Sequence, residues 1–380
     1  MPSGRKSSVL VGFAALGVFW GAWGAALPAV QRRSGASDAE LGLALLLIGL
    51  GALVSMRATG VVMDRIGPRL TPVSVAIFGF AGVLPGLATS SWELYAFSLV
   101  LGAASGAMDV AINADAVRWE VDTGRPILNL AHACFSAGVV AASLATGLLR
   151  WGGAGAPLVF ALAAAVVLLA ALAMRRAARE AWEPPDGERP RFLEPFPRWL
   201  LVIGGLGAIA FWIEGAWQDW GAVYLERTLD ASPAASALAP ALFAAAMAVG
   251  RLSVHRLARP GSERAVLIAG AAIAGAGSAL AAIAPSTPVA LAGIIVAGAG
   301  CSVCAPTIVS LAGRAAGAHE RATVVGSVTT LMYLGFLVGP AAVGGLAELT
   351  TLAGSLGAVG ALGFLLSLLF AVVHLPGRER

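Results

Sequence analysis

A few ionisable side chains stand inside long apolar stretches, where they are costly to keep. Asp109, Glu214 and His132 lie well within such stretches, whereas Asp115 and Asp219 fall nearer their ends. A charged group at the centre of a bilayer costs roughly 2.5–3.5 kcal/mol on insertion scales, so an ionisable residue at that depth is read first as functional. No Lys or Arg falls near the middle of the same stretches. A carboxylate without a neutralising cation suits proton binding and release, or capture of a cationic substrate. The plainer reading of Asp109 is a structural hydrogen bond within its own half of the chain. His132, with Asn129 and Ser136, makes a short polar stripe. Protonation there could gate or relay a proton; the plainer reading is a histidine satisfied by neighbouring polar groups. Cys301 and Cys304 have C-x-x-C spacing, but they lie in an apolar stretch with no other ligand types nearby. With Ser302 and Thr307 they read as small packing residues, not as a redox or metal pair. No nucleotide-binding loop, haem motif or metal cluster is present, so no cofactor is expected, and no nucleophile–base set suggests an enzyme.

Helices must carry these groups. Ser98, Gly102, Ser105, Asp109 and Asn113 recur at steps of three and four, which places them on one helical face. Glu214, Trp217 and Gln218 share a face of another helix, with Gly207 and Phe211 preceding them. Trp92, Trp119, Trp151, Trp199 and Trp220 fall at the ends of apolar stretches and read as interfacial anchors. Trp20, Trp23, Trp212 and Trp217 fall inside them.

The composition dictates the solvent. The chain has 380 residues, 58% hydrophobic and 12% charged, with mean hydropathy +0.83. A soluble domain carries about 25% charged residues, so a soluble fold is excluded, as is disorder. The net charge of +4 and the absence of a basic patch with interleaved aromatics exclude a nucleic-acid binder. A polytopic membrane protein remains. Its abundant Gly and Ala let helices approach closely. The arginine excess over a single Lys6, with the alanine bias, reads as a GC-rich bacterial genome.

Twelve apolar segments are expected, at about 8–31, 39–63, 71–90, 92–117, 127–150, 155–174, 198–222, 234–254, 264–284, 288–313, 322–347 and 353–375. No alternating pattern supports a β-barrel. With a cytoplasmic N-terminus, the basic loop residues collect on the cytoplasmic side, and Arg32, Arg33, Arg150 and Arg227 alone fall opposite. This asymmetry sets the orientation and places both termini in the cytoplasm. Residues 175–197, rich in Arg, acids and Pro, read as a cytoplasmic linker between an N-terminal bundle (1–174) and a C-terminal bundle (198–380), each of six helices. The halves repeat. Phe19-Trp20 matches Phe211-Trp212, Asp64-Arg65 matches His255-Arg256, and the Arg125 loop matches the Arg321 loop, all at nearly constant offset. Two six-helix halves of like orientation imply an axis along the membrane normal and a cavity open to alternate sides.

Between the second and third segments runs Gly60-Val61-Val62-Met63-Asp64-Arg65-Ile66-Gly67-Pro68-Arg69. It resembles the loop signature of the major facilitator superfamily, G-x-x-x-D-R-x-G-x-R. Gly60 reads as a close-packing position, Asp64 as a pairing or capping carboxylate, and Gly67 as the turn. The resemblance implies the superfamily fold and a cytoplasmic gate, to which we add Arg118, Arg125 and Arg256. In the second half the acid is missing, Gly250-Arg251-Leu252-Ser253-Val254-His255-Arg256, which implies an asymmetric latch. Ser98 stands where drug/proton antiporters typically carry an Arg, and the fifth segment lacks their Gly-Pro. The stretch Gly106–Gly138 resembles a bacterial subgroup related to a rhizopine-transport membrane protein, which points to polar, sugar-like solutes.

In the superfamily, helices 1, 4, 7 and 10 line the cavity. The resemblance therefore implies substrate contacts from Trp20, Trp23, Asn113, Trp217, Gln218 and Thr307, with Tyr333 of helix 11 as a further polar contact. Proton coupling falls to Asp109, Glu214 or His132. The expected protein is an all-α, twelve-helix secondary transporter of a small polar solute in the bacterial cytoplasmic membrane, coupled to protons and monomeric, with lipid as its surroundings. The alternative is a proton-driven exporter of a cationic or drug-like compound. A sensor or scaffold would need a soluble domain, for which residues 1–7 and 376–380 are too short.

Overall fold

The computed structural model describes residues 2–175, 198–257, 261–316 and 321–373, without the side chains of residues 2–3, 254–257 and 321–323. The linker expected at 175–197 lies outside the described residues apart from Arg175, as do the side chains of His255, Arg256 and Arg321.

The described residues form helices and turns alone. The first half comprises α1 (Pro2–Ser34), α2 (Asp38–Ile66), a 3-10 turn (Gly67–Arg69), α3 (Leu70–Ala81), α4 (Leu84–Leu87), α5 (Ser91–Thr123), α6 (Leu128–Trp151) and α7 (Ala156–Met174). The second comprises α8 (Arg198–Thr228), α9 (Pro233–Ser236), α10 (Leu238–Leu257), α11 (Glu263–Ala282), α12 (Thr287–Cys301), α13 (Cys304–Ala315), α14 (Arg321–Leu349) and α15 (Leu352–Val372). Among the described residues, 11 helical stretches are long and apolar enough to cross a membrane. The expected count of twelve differs because segments 39–63 and 71–90 join into one run, Asp38–Leu87, of 50 residues. At about 1.5 Å per residue such a run would reach about 75 Å, against a hydrocarbon core of roughly 30 Å. It is interrupted where Gly67 adopts φ +63° and opens the 3-10 turn.

Local sequence explains most other boundaries. Ser37 and Glu40 form a reciprocal capping box at the start of α2: the Glu40 N–H donates to Ser37 Oγ (3.3 Å) and the Ser37 N–H to Glu40 Oε2 (2.8 Å). Gly124, at φ +65°, ends α5 in the left-handed conformation that glycine adopts without penalty. The tenth expected segment breaks at Ser302–Val303 into α12 and α13. Pro306 lacks the N–H that would bond back to Ser302, so a continuous helix loses a rung there.

The chain divides into two compact units, Met1–Gly187 with Ala231–Ala241, and Glu188–Asp230 with Leu242–Arg380. Residues 231–241 join the first unit because Ala237 and Pro233 pack against Gly147 of α6. Inside that unit α1 runs along α6 and α2 along α5, with α7 against α1 and α3. Glycine makes these seams. A Cβ at Gly138 would stand 2.6 Å from the Ala14 carbonyl oxygen and 3.0 Å from the Val18 nitrogen. Gly102 is pressed in the same way on the Ile48 carbonyl. The second unit repeats the device: Gly335 of α14 sits on the Ala208 carbonyl of α8, and its Cβ would lie 2.8 Å from the Trp212 nitrogen.

Candidate functional site

In the first unit, α5 carries the polar face read from the sequence. Ser98 and Ser105 are buried, and Asp109 and Asn113 are half-buried. Asn113 lies one turn after Asp109 and donates from Nδ2 to the Asp109 carboxylate (3.2 Å) and to its carbonyl (2.9 Å). The aspartate is thereby fixed against its own helix. Trp20 and Trp23 share an aromatic cluster: Trp20 meets Trp23 edge-on at 6.0 Å, and Trp23 packs on Phe160 at 5.8 Å. Trp23 is buried, while Trp20 is half-buried. His132 is exposed, with its ring edge-on to Phe13 at 5.0 Å.

In the second unit, Glu214 of α8 is 8% exposed and accepts a hydrogen bond from Gln218 Nε2 at 2.9 Å. Arg251 of α10 and the thiols of Cys301 and Cys304 stand within electrostatic reach of this carboxylate. Arg251 is exposed and lies toward the end of α10, away from the middle of that helix. It falls within the expected 234–254 segment, and α10 continues through it to Leu257. Trp217 is fully buried, and its indole Nε1 donates to Ser278 Oγ at 2.8 Å. It therefore braces α8 on α11. Thr307 is half-buried on α13. Tyr333 stands edge-on to Phe211 at 5.6 Å and tilts against Phe336 at 5.9 Å. Cys301 and Cys304 are buried and free, and the Cys304 thiol donates to the Gly300 carbonyl at 3.7 Å.

The signature loop spans the end of α2 and the 3-10 turn. Asp64, Arg65 and Arg69 are exposed and Gly67 is buried. A side chain at Gly60 would meet nothing within 4 Å among the described residues, so the close packing expected there is absent. Arg118 lies within α5 and pairs with Asp115 at 3.8 Å, while Arg125 is exposed in the next loop. Two contacts here escape the sequence reading. Arg5 pairs with Asp122 at 2.7 Å, tying the start of α1 to the end of α5. Glu120 accepts from the Ile127 and Leu128 N–H groups (2.6 and 3.0 Å), closing the turn into α6. The first joins residues too far apart in sequence to leave a signal; the second reaches back from α6 into the last turn of α5 across the Gly124 turn, which no local pattern encodes.

The interfacial tryptophans divide. Trp92 and Trp151 are 81% and 70% exposed, and Trp199 is half-buried. Trp119 and Trp220, expected as anchors, are buried instead, because α5 and α8 continue past the apolar stretch and pack there.

A family model described as the Major Facilitator Superfamily matches residues 9–340 and 224–380. An uncharacterised MFS-type transporter of Yersinia pestis is 33% identical over 357 residues, 93% of this chain and 91% of that protein. The membrane protein MosC of Rhizobium meliloti is 29% identical over 343 residues, 87% of this chain and 81% of its own length. Among solved structures, a point mutant of the nucleoside transporter NupG superposes with TM-score 0.81 at 13% identity, over 97% of this chain and 99% of that one.

Proposed function

The chain belongs to the major facilitator superfamily, a family of membrane transporters and not of enzymes, and from that membership we propose that it is a secondary active transporter of a small polar solute. The solute is sugar- or cyclitol-like, it moves by alternating access, and its movement is coupled to protons. The observation that carries this reading is Glu214. It is a carboxylate held inside an apolar helix by Gln218, with Arg251 in electrostatic reach. Such a group can exchange a proton for an ion pair or a polar solute without leaving the protein. Asp109 and Asn113 supply a second carboxylate–amide pair in the other unit. The likeness of Gly106–Gly138 to the rhizopine-related subgroup supports a polar, sugar-like solute.

In this reading Asn113, Gln218, Thr307, Tyr333 and Trp20 contact the solute. Trp23 and Trp217 stand behind them as packing. His132 relays protons, and Gly60, Asp64, Arg65, Gly67, Arg69, Arg118, Arg125 and Arg256 form the cytoplasmic gate. The Asp38–Leu87 run crosses twice, giving twelve crossings in bundles 1–174 and 198–380 joined by the linker 175–197, with both termini cytoplasmic. The arginine bias supports that orientation in a bacterial inner membrane. The protein acts as a monomer.

The test is uptake into proteoliposomes under an imposed pH gradient, across a panel of cyclitols, sugars and nucleosides. Gradient-driven uptake that Glu214→Gln removes is the expected result. Unchanged pH dependence in both Glu214→Gln and Asp109→Asn would overturn the proton-carrier role. A second reading, export of a cationic compound, draws on the Phe211–Tyr333–Phe336 aromatic cluster, whose ring faces suit a cation. Resistance of overexpressing cells to a cationic toxin, without any cyclitol or sugar uptake, would favour it.

A further inference from the structure

The first unit holds a cavity of about 540 Å³ whose lining includes Arg32, Arg33 and Arg150 and no acidic side chain. Arg32 and Arg33 end α1, and Arg150 ends α6. The three come together because Arg150, only 5% exposed, donates from Nη1 to the Ala25 carbonyl at 2.6 Å. Pro28 lies within α1, and the N–H it lacks would have bonded the Gly24 carbonyl, next to the Ala25 carbonyl that Arg150 reaches. Arg150 is thus anchored in the wall of the cavity beside Arg32 and Arg33. Gly155 and Pro157 complete the wall at the start of α7, where Gly155 provides no side-chain cap. The positive end of that helix adds to the same field. The loop amides of Gly152, Gly153 and Ala154 are bonded back onto α6 carbonyls, so the positive charge of the lining comes from the arginines. Glu93 lies within electrostatic reach of Arg33. Its carboxylate accepts from the Thr89 N–H and hydroxyl at 2.7 and 2.8 Å and is not part of the lining.

Charge bias makes this cluster anomalous. Arginine is disfavoured in loops on the side opposite the cytoplasm, yet three of the four basic residues that the sequence leaves there line one cavity. The exposed Trp151, next to Arg150, marks the depth at which aromatic rings meet lipid headgroups. Guanidinium forks match the oxygens of a phosphate group bidentately.

We propose that the Arg32–Arg33–Arg150 cavity binds a phosphate-bearing anion, carried by a lipid headgroup or by a free phosphorylated solute. The site is separate from the carboxylates assigned to transport. The experiment follows thermal unfolding of the purified full chain in detergent. One arm adds phosphatidylglycerol against phosphatidylcholine; the other adds inorganic phosphate against chloride at equal ionic strength. Each is run on the wild type, on the Arg32→Gln/Arg33→Gln double variant, and on Arg227→Gln as an exposed-charge control. Arg32 and Arg33 are themselves exposed, so the double variant keeps the buried Arg150 anchor. A rise in unfolding temperature is expected in the wild type and in Arg227→Gln, and its loss in the double variant. A shift in the lipid arm alone assigns the site to headgroups, in the phosphate arm alone to a free anion, and in both to the phosphate group they share. No shift beyond the phosphatidylcholine and chloride controls, or an equal shift in the double variant, would overturn the proposal.

Discussion

Asp109 of α5 and Glu214 of α8 are built alike and placed differently. Each is a carboxylate inside a long apolar helix, and each is held by the amide of the residue four positions later, Asn113 at 3.2 Å and Gln218 at 2.9 Å. That spacing is the neighbour distance of a helix surface, so a helix with this sequence brings the groups together without outside help. The surroundings separate the two. Asn113 also bonds the Asp109 carbonyl, which locks the pair onto its own backbone. Glu214 has the longer side chain and shares its environment with Arg251 of a second helix and two thiols from the α12–α13 break. A pair satisfied by its own helix is suited to holding structure. A carboxylate that also senses a cation on another helix can report that helix's position, which is what coupling requires.

The largest effect should come from breaking this difference. Glu214→Gln keeps the size of the side chain but cannot bind and release a proton, so gradient-driven uptake should be lost, a fall of about a hundredfold or more on the scale of general acid–base groups, while the protein still purifies as a folded species. Asp109→Asn keeps the shape of the Asp109–Asn113 pair and should cost only a few-fold, on the order of 1 kcal/mol. Initial rates in proteoliposomes at two external pH values measure both. Equal losses would mean that the two carboxylates act as one unit, and the distinction between a structural and a coupling pair would fall.

The sequence carries some of this contrast and hides the rest. The apolar stretches are legible because a membrane span needs about 20 apolar residues in a row, and the i,i+4 pairs because both partners lie on one helix. Pro306 foreshadows the break at Ser302–Val303, but the 288–313 stretch is apolar on both sides of it and reads as one span. Arg251 falls inside the expected 234–254 stretch, but its electrostatic reach to a carboxylate on another helix has no local signal. Trp119 and Trp220 mislead. Their position at the end of an apolar run suggests the interface, whereas packing beyond the run buries them. Contacts such as Arg5–Asp122 and Trp217–Ser278 join distant parts of the chain, and nothing local encodes them.

The helix seams test whether the two units are alike where they ought to be. Gly138 lies on the Ala14 carbonyl and Val18 nitrogen, and Gly335 on the Ala208 carbonyl and Trp212 nitrogen. The two arrangements correspond at the repeat offset of the sequence. In both, the obstructing atoms are backbone, which cannot rotate away. Gly138→Val and Gly335→Val should therefore each destabilise the protein by about 3 kcal/mol, the upper range for overpacking, seen as loss of monodisperse protein or a lower unfolding midpoint in detergent. A cost confined to one of them would show that the repeat does not extend to packing.

The smallest effect sharpens the comparison most cleanly, because it removes the same atoms from both units. Trp23 and Trp217 are each buried almost completely. Trp217 Nε1 donates to Ser278 Oγ at 2.8 Å, whereas Trp23 Nε1 is a buried donor without a hydrogen-bond partner among the described residues. Replacing either by Phe removes a pyrrole ring's worth of packing, a loss common to both. Trp217→Phe additionally leaves the Ser278 hydroxyl without its donor, while Trp23→Phe removes a polar group that was costly to bury. Trp217→Phe should therefore destabilise by about 1–2 kcal/mol more than Trp23→Phe, measured as the difference between their unfolding midpoints in one detergent. If Trp23→Phe proves the more damaging, its indole N–H serves a bound polar group in the folded transporter, and Trp23 returns to the list of residues that touch the solute.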